Sequence, residues 1–525
     1  MNKRFKTDYL KIILVGIPLS FIIWAFLYMH AAYLTHDPFI SKYSSIVLTI
    51  TIVIVYFYLS IKHAPKIGAA IDADTEGFKT SDGLFKCGDC GCESEVGEAF
   101  RKQKASLSGQ PTMLCPECWS TEYIAMSKMS FGIFGISFVV GVIFLYFDPS
   151  NFFAALLINI VLLYVFMLTT VVPHELGHAL AGRLLGYDVF RVIIGYGNVL
   201  FKRRFLGCEW EFRPFPLGGV AVIATRSSRF FRLRRFVMLL AGPLVNVIFI
   251  VLLFWILPTA GSLGSHSLHG VAPDIDFFLA NALLLGMNLF PYKITTAAGV
   301  IENDGLALIT VPFCKRKKVE EHLAAYYFLA SHELSRQRLY EQAVRVCEEG
   351  LGLYPDAGQL RTQLGVAFLA LNEFEKARSC FTELLACKDI KPGQKMIILN
   401  NIAYTNLLSG KTDLAEEANR YSEEAYKNIP WVPAVKGTRG AVLVETGRVD
   451  EGLVLLREAY EAYSEPEGKA LNAAHIALGE MLRGNIEEGT RYLKAAHTLD
   501  PQCQLLNRVI EELGGEAVNA EKEKG

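Results

Sequence analysis

From Phe152 to Val172 the chain runs without a single charged residue, and then reads Pro173-His174-Glu175-Leu176-Gly177-His178. A run of about 20 apolar residues is long enough to cross the hydrocarbon core of a bilayer. In that setting every backbone polar group must be satisfied internally, which makes a lone spanning run a helix. On a helix His174 and His178 share one face, because residues four apart are neighbours. At that spacing two imidazoles reach one zinc ion, and Glu175 stands where it can take a proton from metal-bound water. An ionisable cluster in a membrane helix costs free energy, so it marks a functional site. The chemistry these residue types suggest is peptide hydrolysis within, or at the edge of, a bilayer.

Two histidines do not hold a catalytic zinc; such sites use three protein ligands and keep one position for water. Downstream, an apolar stretch ends Gly286-Met287-Asn288-Leu289-Phe290-Pro291, and Glu302-Asn303-Asp304-Gly305 follows. An Asp followed by Gly, just after a membrane helix, can turn a carboxylate back toward the histidines. A buried, hydrogen-bonded histidine pair is the plain alternative, and the apolar flanks weigh against it.

The rest of the chain sorts into regions. It has 525 residues, 52% hydrophobic, with a mean hydropathy of +0.29 and a net charge of -1. That is too apolar for an average soluble protein and too long for one domain. The long apolar runs fall within 1–313, whereas 314–525 reads as soluble and helical. The charge balance offers no argument for a nucleic-acid partner. Candidate membrane spans are about 10–29, 45–61, 130–147, 152–185, 235–257 and 273–291. No cleavable signal peptide is expected, since the run after the basic start is long enough to span. Lys3, Arg4, Lys6 and Lys11, then Lys62 and Lys66, then the arginine-rich 187–235, then Lys315 to Lys318 all fall on one side of six spans. By the positive-inside rule that side, with both termini, is the cytoplasm. The third and fourth spans divide at Asp148-Pro149-Ser150-Asn151.

Several ordered motifs in 130–313 resemble the site-2 protease family of intramembrane zinc metalloproteases. His174-Glu175-Leu176-Gly177-His178 is similar to the family's first motif, with the small residues Ala179, Ala181 and Gly182 behind it. Pro216-Leu217-Gly218-Gly219-Val220 resembles the segment after a membrane-associated β-hairpin region. Ala241-Gly242-Pro243-Leu244-Val245-Asn246 resembles the signature that opens the next core span. Asn288-Leu289-Phe290-Pro291 with Asp304-Gly305 resembles the Asn-x-x-Pro…Asp-Gly motif, whose Asp is the third zinc ligand. Here Tyr292 to Asn303 intervene, where the family usually places its Asp close behind the Pro. The resemblance implies that His174, His178 and Asp304 bind zinc, with Glu302 the alternative carboxylate. It implies that Glu175 is the general base and that Asn288 holds the substrate backbone or shapes the site. Ala179, Ala181, Gly182 and Gly186 also serve close helix packing. The β-prone runs Val189 to Ile194 and Gly195 to Phe205 suggest a hairpin, which is either structural or able to pair with an unwound substrate strand.

Cys87-Gly88-Asp89-Cys90 and Cys115-Pro116-Glu117-Cys118, with 24 residues between, have the spacing of a four-thiolate structural zinc ribbon. Cys92 is a spare thiol. A closed four-cysteine site has no open position, so its role is folding; a redox thiol pair is the alternative. From about 322 the chain repeats itself. Ala343, Ala377, Ala415, Gly452 and Gly489 stand at intervals of 34, 38, 37 and 37, and the first equals the tetratricopeptide period. Leu364-Gly365, Phe368, Ala377 and Phe381 make the clearest copy, and Pro355 and Pro501 close repeats. Five helical hairpins stacked as a solenoid are expected, with a concave face for protein segments.

The expected fold is therefore mainly α. It comprises polytopic membrane helices with a small β-hairpin region, a zinc-ribbon insert and a C-terminal α-solenoid. The expected divisions are 1–66 (two transmembrane helices), 82–122 (ribbon), 128–313 (metalloprotease core) and 320–510 (repeats). The expected function is intramembrane zinc endopeptidase, with one catalytic and one structural zinc. Its partners would be a transmembrane protein substrate, a cytoplasmic protein on the repeats and the lipid bilayer. An inactive membrane-anchored adaptor is the rival, and a metal-ion carrier is a third reading.

Overall fold

The computed structural model describes residue 80 and residues 82–510, leaving aside 98–99, 104–111, 197–198, 214, 257–269, 297–298, 388–389, 464, 504 and 507–508. The expected spans at 10–29 and 45–61 lie outside the described residues. The chain forms two compact units, one built on Ile124–Leu323 and another joining Thr75–Tyr123 to Ala324–Gly525.

In the second unit, β1 (Phe85–Lys86) pairs with β2 (Glu93–Ser94), and β3 (Arg101–Gln103) pairs with β4 (Thr112–Leu114), both antiparallel. Cys87 and Cys90 lie in the turn between β1 and β2, and Cys115 and Cys118 follow β4. Helix α1 (Pro116–Phe147) then leads into the first unit.

The first unit is organised around α2 (Phe152–Leu184), 33 residues long. At 1.5 Å per residue it measures about 50 Å, longer than the roughly 30 Å hydrocarbon core. The break before it falls at the expected Asp148–Asn151, where Asn151 caps α2 by accepting from the Ala154 N–H at 3.0 Å. A mixed sheet follows: β5 (Asp188–Tyr196), β6 (Phe201–Phe205), β7 (Cys208–Phe212) and β8 (Phe215–Ala224), in the order β6-β7-β5-β8. This corrects the simple hairpin expected from the sequence. β6 and β7 do form one, closed by Leu206 and Gly207 at φ 48° and 67°, as a two-residue turn requires. β7 then runs parallel to β5, and β8 covers the other edge of β5 antiparallel. The alternation that buries Val192, Ile194, Cys208 and Trp210 against α2 faces the charged side chains Arg191, Glu209 and Glu211 the other way.

α3 (Phe231–Ile256) and α4 (Pro273–Leu289) pack on α2. A short hairpin, β9 (Lys293–Thr296) and β10 (Gly299–Glu302), leads to α5 (Asp304–Thr310). Among the described residues, two helices are long and apolar enough to cross a membrane, Phe153–Leu184 and Phe231–Trp255. Many of their apolar side chains face outward, Phe153 and Trp255 being 74% and 77% exposed. The polytopic expectation is thus met only in part. Within α1 the described apolar stretch is Gly135–Phe147, and α4 has 17 residues with Asp274 and Asp276 in its first turn.

The chain then makes five helical hairpins among the described residues: α6 (Arg316–Arg336) with α7 (Tyr340–Leu353), α8 (Gly358–Ala370) with α9 (Phe374–Leu385), α10 (Pro392–Ser409) with α11 (Ala415–Asn428), α12 (Pro433–Glu445) with α13 (Val449–Ala462), and α14 (Pro466–Leu482) with α15 (Ile486–Leu499). Ala343, Ala377, Gly452 and Gly489 are buried between helices as their spacing predicts. Ala415 is exposed, and the equivalent buried residue is Ala418. The extra turn Thr412–Leu414 before α11 displaces the register by three residues.

The ribbon packs on this solenoid. Ser94 Oγ donates to the Asn428 carbonyl at 2.5 Å, and the Glu95 N–H donates to Asn428 Oδ1 at 3.1 Å. Val96 is buried among Met396, Leu399, Ala425, Ile429 and Val435. Phe100 meets Trp431 edge-on, with ring centroids 5.5 Å apart.

Candidate active site

One helical face delivers both histidines: His174 and His178 are buried on α2, with ring centroids 4.9 Å apart. Each ring has its outward nitrogen occupied. His174 Nδ1 lies 2.7 Å from Asn246 Oδ1, and Asn246 in turn donates through Nδ2 to Asn281 Oδ1 at 3.1 Å. Because the Asn246 amide is oriented by that second bond, its oxygen accepts and His174 Nδ1 carries the hydrogen. His178 Nδ1 lies 2.9 Å from the Met238 carbonyl, which can only accept. With each Nδ1 engaged outward, it is the two Nε2 atoms that face inward, and in the neutral tautomer each offers a lone pair there.

Those two Nε2 atoms are 3.3 Å apart, and Asp304 Oδ2 stands 3.2 Å from one and 3.1 Å from the other. Three lone-pair atoms converging at such distances repel one another, and a cation at their centre satisfies all three. Zinc bonds of about 2.0–2.1 Å in tetrahedral geometry put ligand atoms about 3.3 Å apart, so the cluster has the dimensions of a zinc site. The N–H bonds to Asn246 and to the Met238 carbonyl are what a metal-binding histidine needs to hold its ring and tautomer.

Glu175 is buried beside the cluster, and the Ala221 N–H of β8 bonds its carboxylate. Here glycine is a steric requirement. A Cβ on Gly219 would lie 2.5 Å from Glu175 Cγ, and one on Gly242 would lie 2.2 Å from His178 Nε2. These two glycines sit in the Pro216–Val220 and Ala241–Asn246 motifs, and their neighbours explain both. Gly177 likewise lets α3 approach, since a Cβ there would be 2.8 Å from the Ala241 carbonyl oxygen.

The structure brings His174, His178 and Asp304 together, with Glu175 adjoining. Glu302 is engaged elsewhere, its Oε1 paired with Lys318 Nζ at 2.6 Å and its Oε2 accepting from Thr310 Oγ1 at 2.9 Å. Asn288 is half-buried at the end of α4, and its carbonyl accepts from Asn303 Nδ2 at 3.0 Å. Asn246, Asn281 and Asn303 carry no role in the sequence reading. A polar side chain in an apolar helix, as at Asn246 and Asn281, is the signal that points to the first two.

The sheet above the site is held by charge. Glu211 is buried and pairs with Arg191 at 3.0 Å, Arg213 at 3.0 Å and Lys202 at 3.5 Å. Burial opposes its ionisation, yet the Arg213 hydrogen bond and the Arg191 and Lys202 charges outweigh it, holding the carboxyl below the usual glutamate range.

A second cluster joins Cys87, Cys90, Cys115 and Cys118, whose sulfurs lie within 4.8 Å of one another. Burial opposes ionisation of Cys87, but backbone N–H groups of Cys115, Cys90 and Asp89 outweigh it and bring the thiol down to about 6. Burial pushes Cys115, Cys118 and the spare Cys92 up. One thiolate made ready by backbone donors, and two thiols, Cys115 and Cys118, that need a cation to ionise, fit a structural metal.

Comparison with known proteins adds to this geometry. The sequence profile of peptidase family M50 matches residues 161–429. The regulator of sigma E protease of Haemophilus influenzae is 31% identical over 132 residues, covering 22% of this chain and 28% of that protein. A Campylobacter jejuni protein whose name contains the words zinc metalloprotease is 30% identical over 145 residues, 25% of this chain and 35% of that one. The chain thus spans about a third, or less, of the length of these curated relatives. Among solved structures, a thermophilic TPR protein of Thermus thermophilus is 17% identical at a TM-score of 0.30, covering 36% of this chain and 98% of that chain.

Proposed function

The chain belongs to peptidase family M50, and on that premise we propose that it is a zinc endopeptidase that cuts a membrane protein within or near its transmembrane segment. The observation that carries this reading is the convergence of Asp304 Oδ2 on His174 Nε2 and His178 Nε2, which stand with Glu175 on a helix long and apolar enough to span. His174, His178 and Asp304 would hold the zinc. Zinc held there would lower the pKa of a bound water to about 7 and would polarise the scissile carbonyl. Glu175 receives the proton of the attacking water and passes it to the leaving amine. The Ala221 N–H keeps its carboxylate oriented for that transfer. Asn246 and the Met238 carbonyl hold the imidazoles in the tautomer that binds metal, and Asn288 contacts the substrate backbone.

The remaining regions serve this core in the same reading. Residues 1–66 add two membrane helices, 128–313 form the protease, and both termini lie in the cytoplasm with the basic segments. Residues 82–122 bind a structural zinc through Cys87, Cys90, Cys115 and Cys118. The repeats of 320–510 receive a cytoplasmic protein that recruits or regulates.

Glu175→Gln tests the proposal, because it removes the proton acceptor and keeps the volume. The variant should bind zinc and fold as before, lose cleavage by at least 100-fold, and hold a membrane protein that copurifies. Unchanged function in the Gln variant would move the reading to the adaptor.

A further inference from the structure

Twelve residues separate Pro291 from Asp304, yet the Asp304 carboxylate still reaches both imidazoles. The structure accounts for this through one side chain. The intervening segment folds into β9 and β10, paired from Lys293↔Glu302 to Thr296↔Gly299. Its base is closed by Tyr292 and Asn303: the Asn303 N–H donates to the Tyr292 carbonyl at 3.1 Å, and the Tyr292 N–H donates to Asn303 Oδ1 at 3.0 Å. The hairpin therefore leaves and returns at one point.

At that point Asn303, 6% exposed, does two jobs with one amide. Oδ1 accepts from the Leu306 N–H at 3.1 Å and so caps the start of α5. Nδ2 donates to the carbonyls of Phe290 at 2.5 Å, Asn288 at 3.0 Å and Met287 at 3.4 Å. The last two are end carbonyls of α4 that have no partner within their helix. Gly305 completes the joint, since a Cβ there would lie 2.1 Å from the Leu289 carbonyl oxygen. The end of α4 and the start of α5 are thus locked together, and Asp304 is the first residue of α5.

We infer that Asn303 is a positioning residue for the third metal ligand: its amide welds α4 to α5, so that the β9–β10 hairpin can be inserted between them without displacing Asp304. Asparagine offers an acceptor and a donor at this short reach. A carboxylate lacks the donor, a serine hydroxyl is too short to bridge both helices, and glycine has neither group. The inference rests on Asp304 being a zinc ligand and is tested without reference to cleavage.

The test measures zinc affinity by chelator competition on the full-length protein in detergent, in the Glu175→Gln background, with the d–d spectrum of the cobalt-substituted protein as a report on ligand geometry. Asn303→Ser and Asn303→Gly both leave a residue tolerated at a helix start, but neither bridges to α4. Each should lower zinc affinity by 10- to 100-fold, the range for loss of a group that orients a ligand, and should alter the cobalt spectrum. Excision of Lys293–Glu302, joining Tyr292 to Asn303, should leave affinity within about threefold and the spectrum unchanged. Wild-type affinity and spectrum in both Asn303 variants would overturn the inference. So would an excision variant that binds zinc as poorly as Asn303→Ser, because the hairpin would then be what places Asp304.

Discussion

Gly242→Ala gives the sharpest test of how the site is built. The added methyl would stand 2.2 Å from His178 Nε2, about 1.2 Å inside the 3.4 Å at which ordinary contact begins. The strain has no easy outlet. His178 is held from behind by the Met238 carbonyl, and α2 and α3 already touch at Gly177, where a Cβ would lie 2.8 Å from the Ala241 oxygen. Zinc ligands must sit within about 0.2 Å of their ideal distances, so a shift on the order of 1 Å removes His178 from the set. We expect zinc affinity to fall by at least 100-fold, which is about 2.8 kcal/mol at 1.4 kcal/mol per decade. Peptide-bond cleavage should fall by a similar factor. The assays are zinc content after competition with a chelator and cleavage of a reconstituted membrane substrate. Gly286→Ala is the control, because its new methyl would meet nothing within 4 Å. It should be neutral or stabilise α4 by about 0.5–1 kcal/mol. A Gly242→Ala protein with wild-type zinc affinity would show that the helices do not fix the imidazole in the way described.

Other outcomes follow from the same geometry. Asn246→Ala removes the acceptor for His174 Nδ1–H and should lower zinc affinity by about 10- to 100-fold while leaving the four-cysteine site loaded, as metal analysis would reveal. Glu211→Gln should destabilise the sheet by about 1–3 kcal/mol, measured as a lowered melting temperature, since Arg191, Arg213 and Lys202 lose a charged acceptor. Its sign with pH is defined by the depressed carboxyl. The stabilisation is fully present above the ordinary value of 4.5 and is lost as pH falls through the lower folded value, so the wild type should show a stability slope there that the Gln variant lacks. Cys87→Ser should loosen the ribbon and change the fluorescence of Trp431, which rests on Phe100; a signal that persists in Trp431→Phe would assign the change elsewhere.

What can be seen from the residues alone follows from range. Two histidines four apart on an apolar helix need only local geometry, so α2 and its inward face are legible from Phe152–Leu184. Asp304 is recognisable from its Gly neighbour and from the motif ending at Pro291. Asn246 meets His174 across 72 positions and Asn281 across another 35, and no local pattern encodes such pairings. The sheet is hard to foresee for a similar reason. β7 is parallel to β5, and parallel pairing is not announced by a turn. The third repeat departs from even spacing by three residues, because Thr412–Leu414 inserts an extra turn. Among the candidate spans, α4 carries two aspartates that a window of average hydropathy absorbs.

The seat of the ribbon on the solenoid has a practical outcome for anyone dividing this protein. Ser94 and Asn428, bonded at 2.5 Å, are 334 positions apart, and the entire protease core lies between them along the chain. A cut that discards everything after Leu323 would leave Val96 and Phe100 as greasy stubs facing water. A fragment that begins with the repeats would carry the complementary scar at Met396, Ile429 and Trp431. Separating the halves cleanly calls for splicing two distant stretches back into one polypeptide.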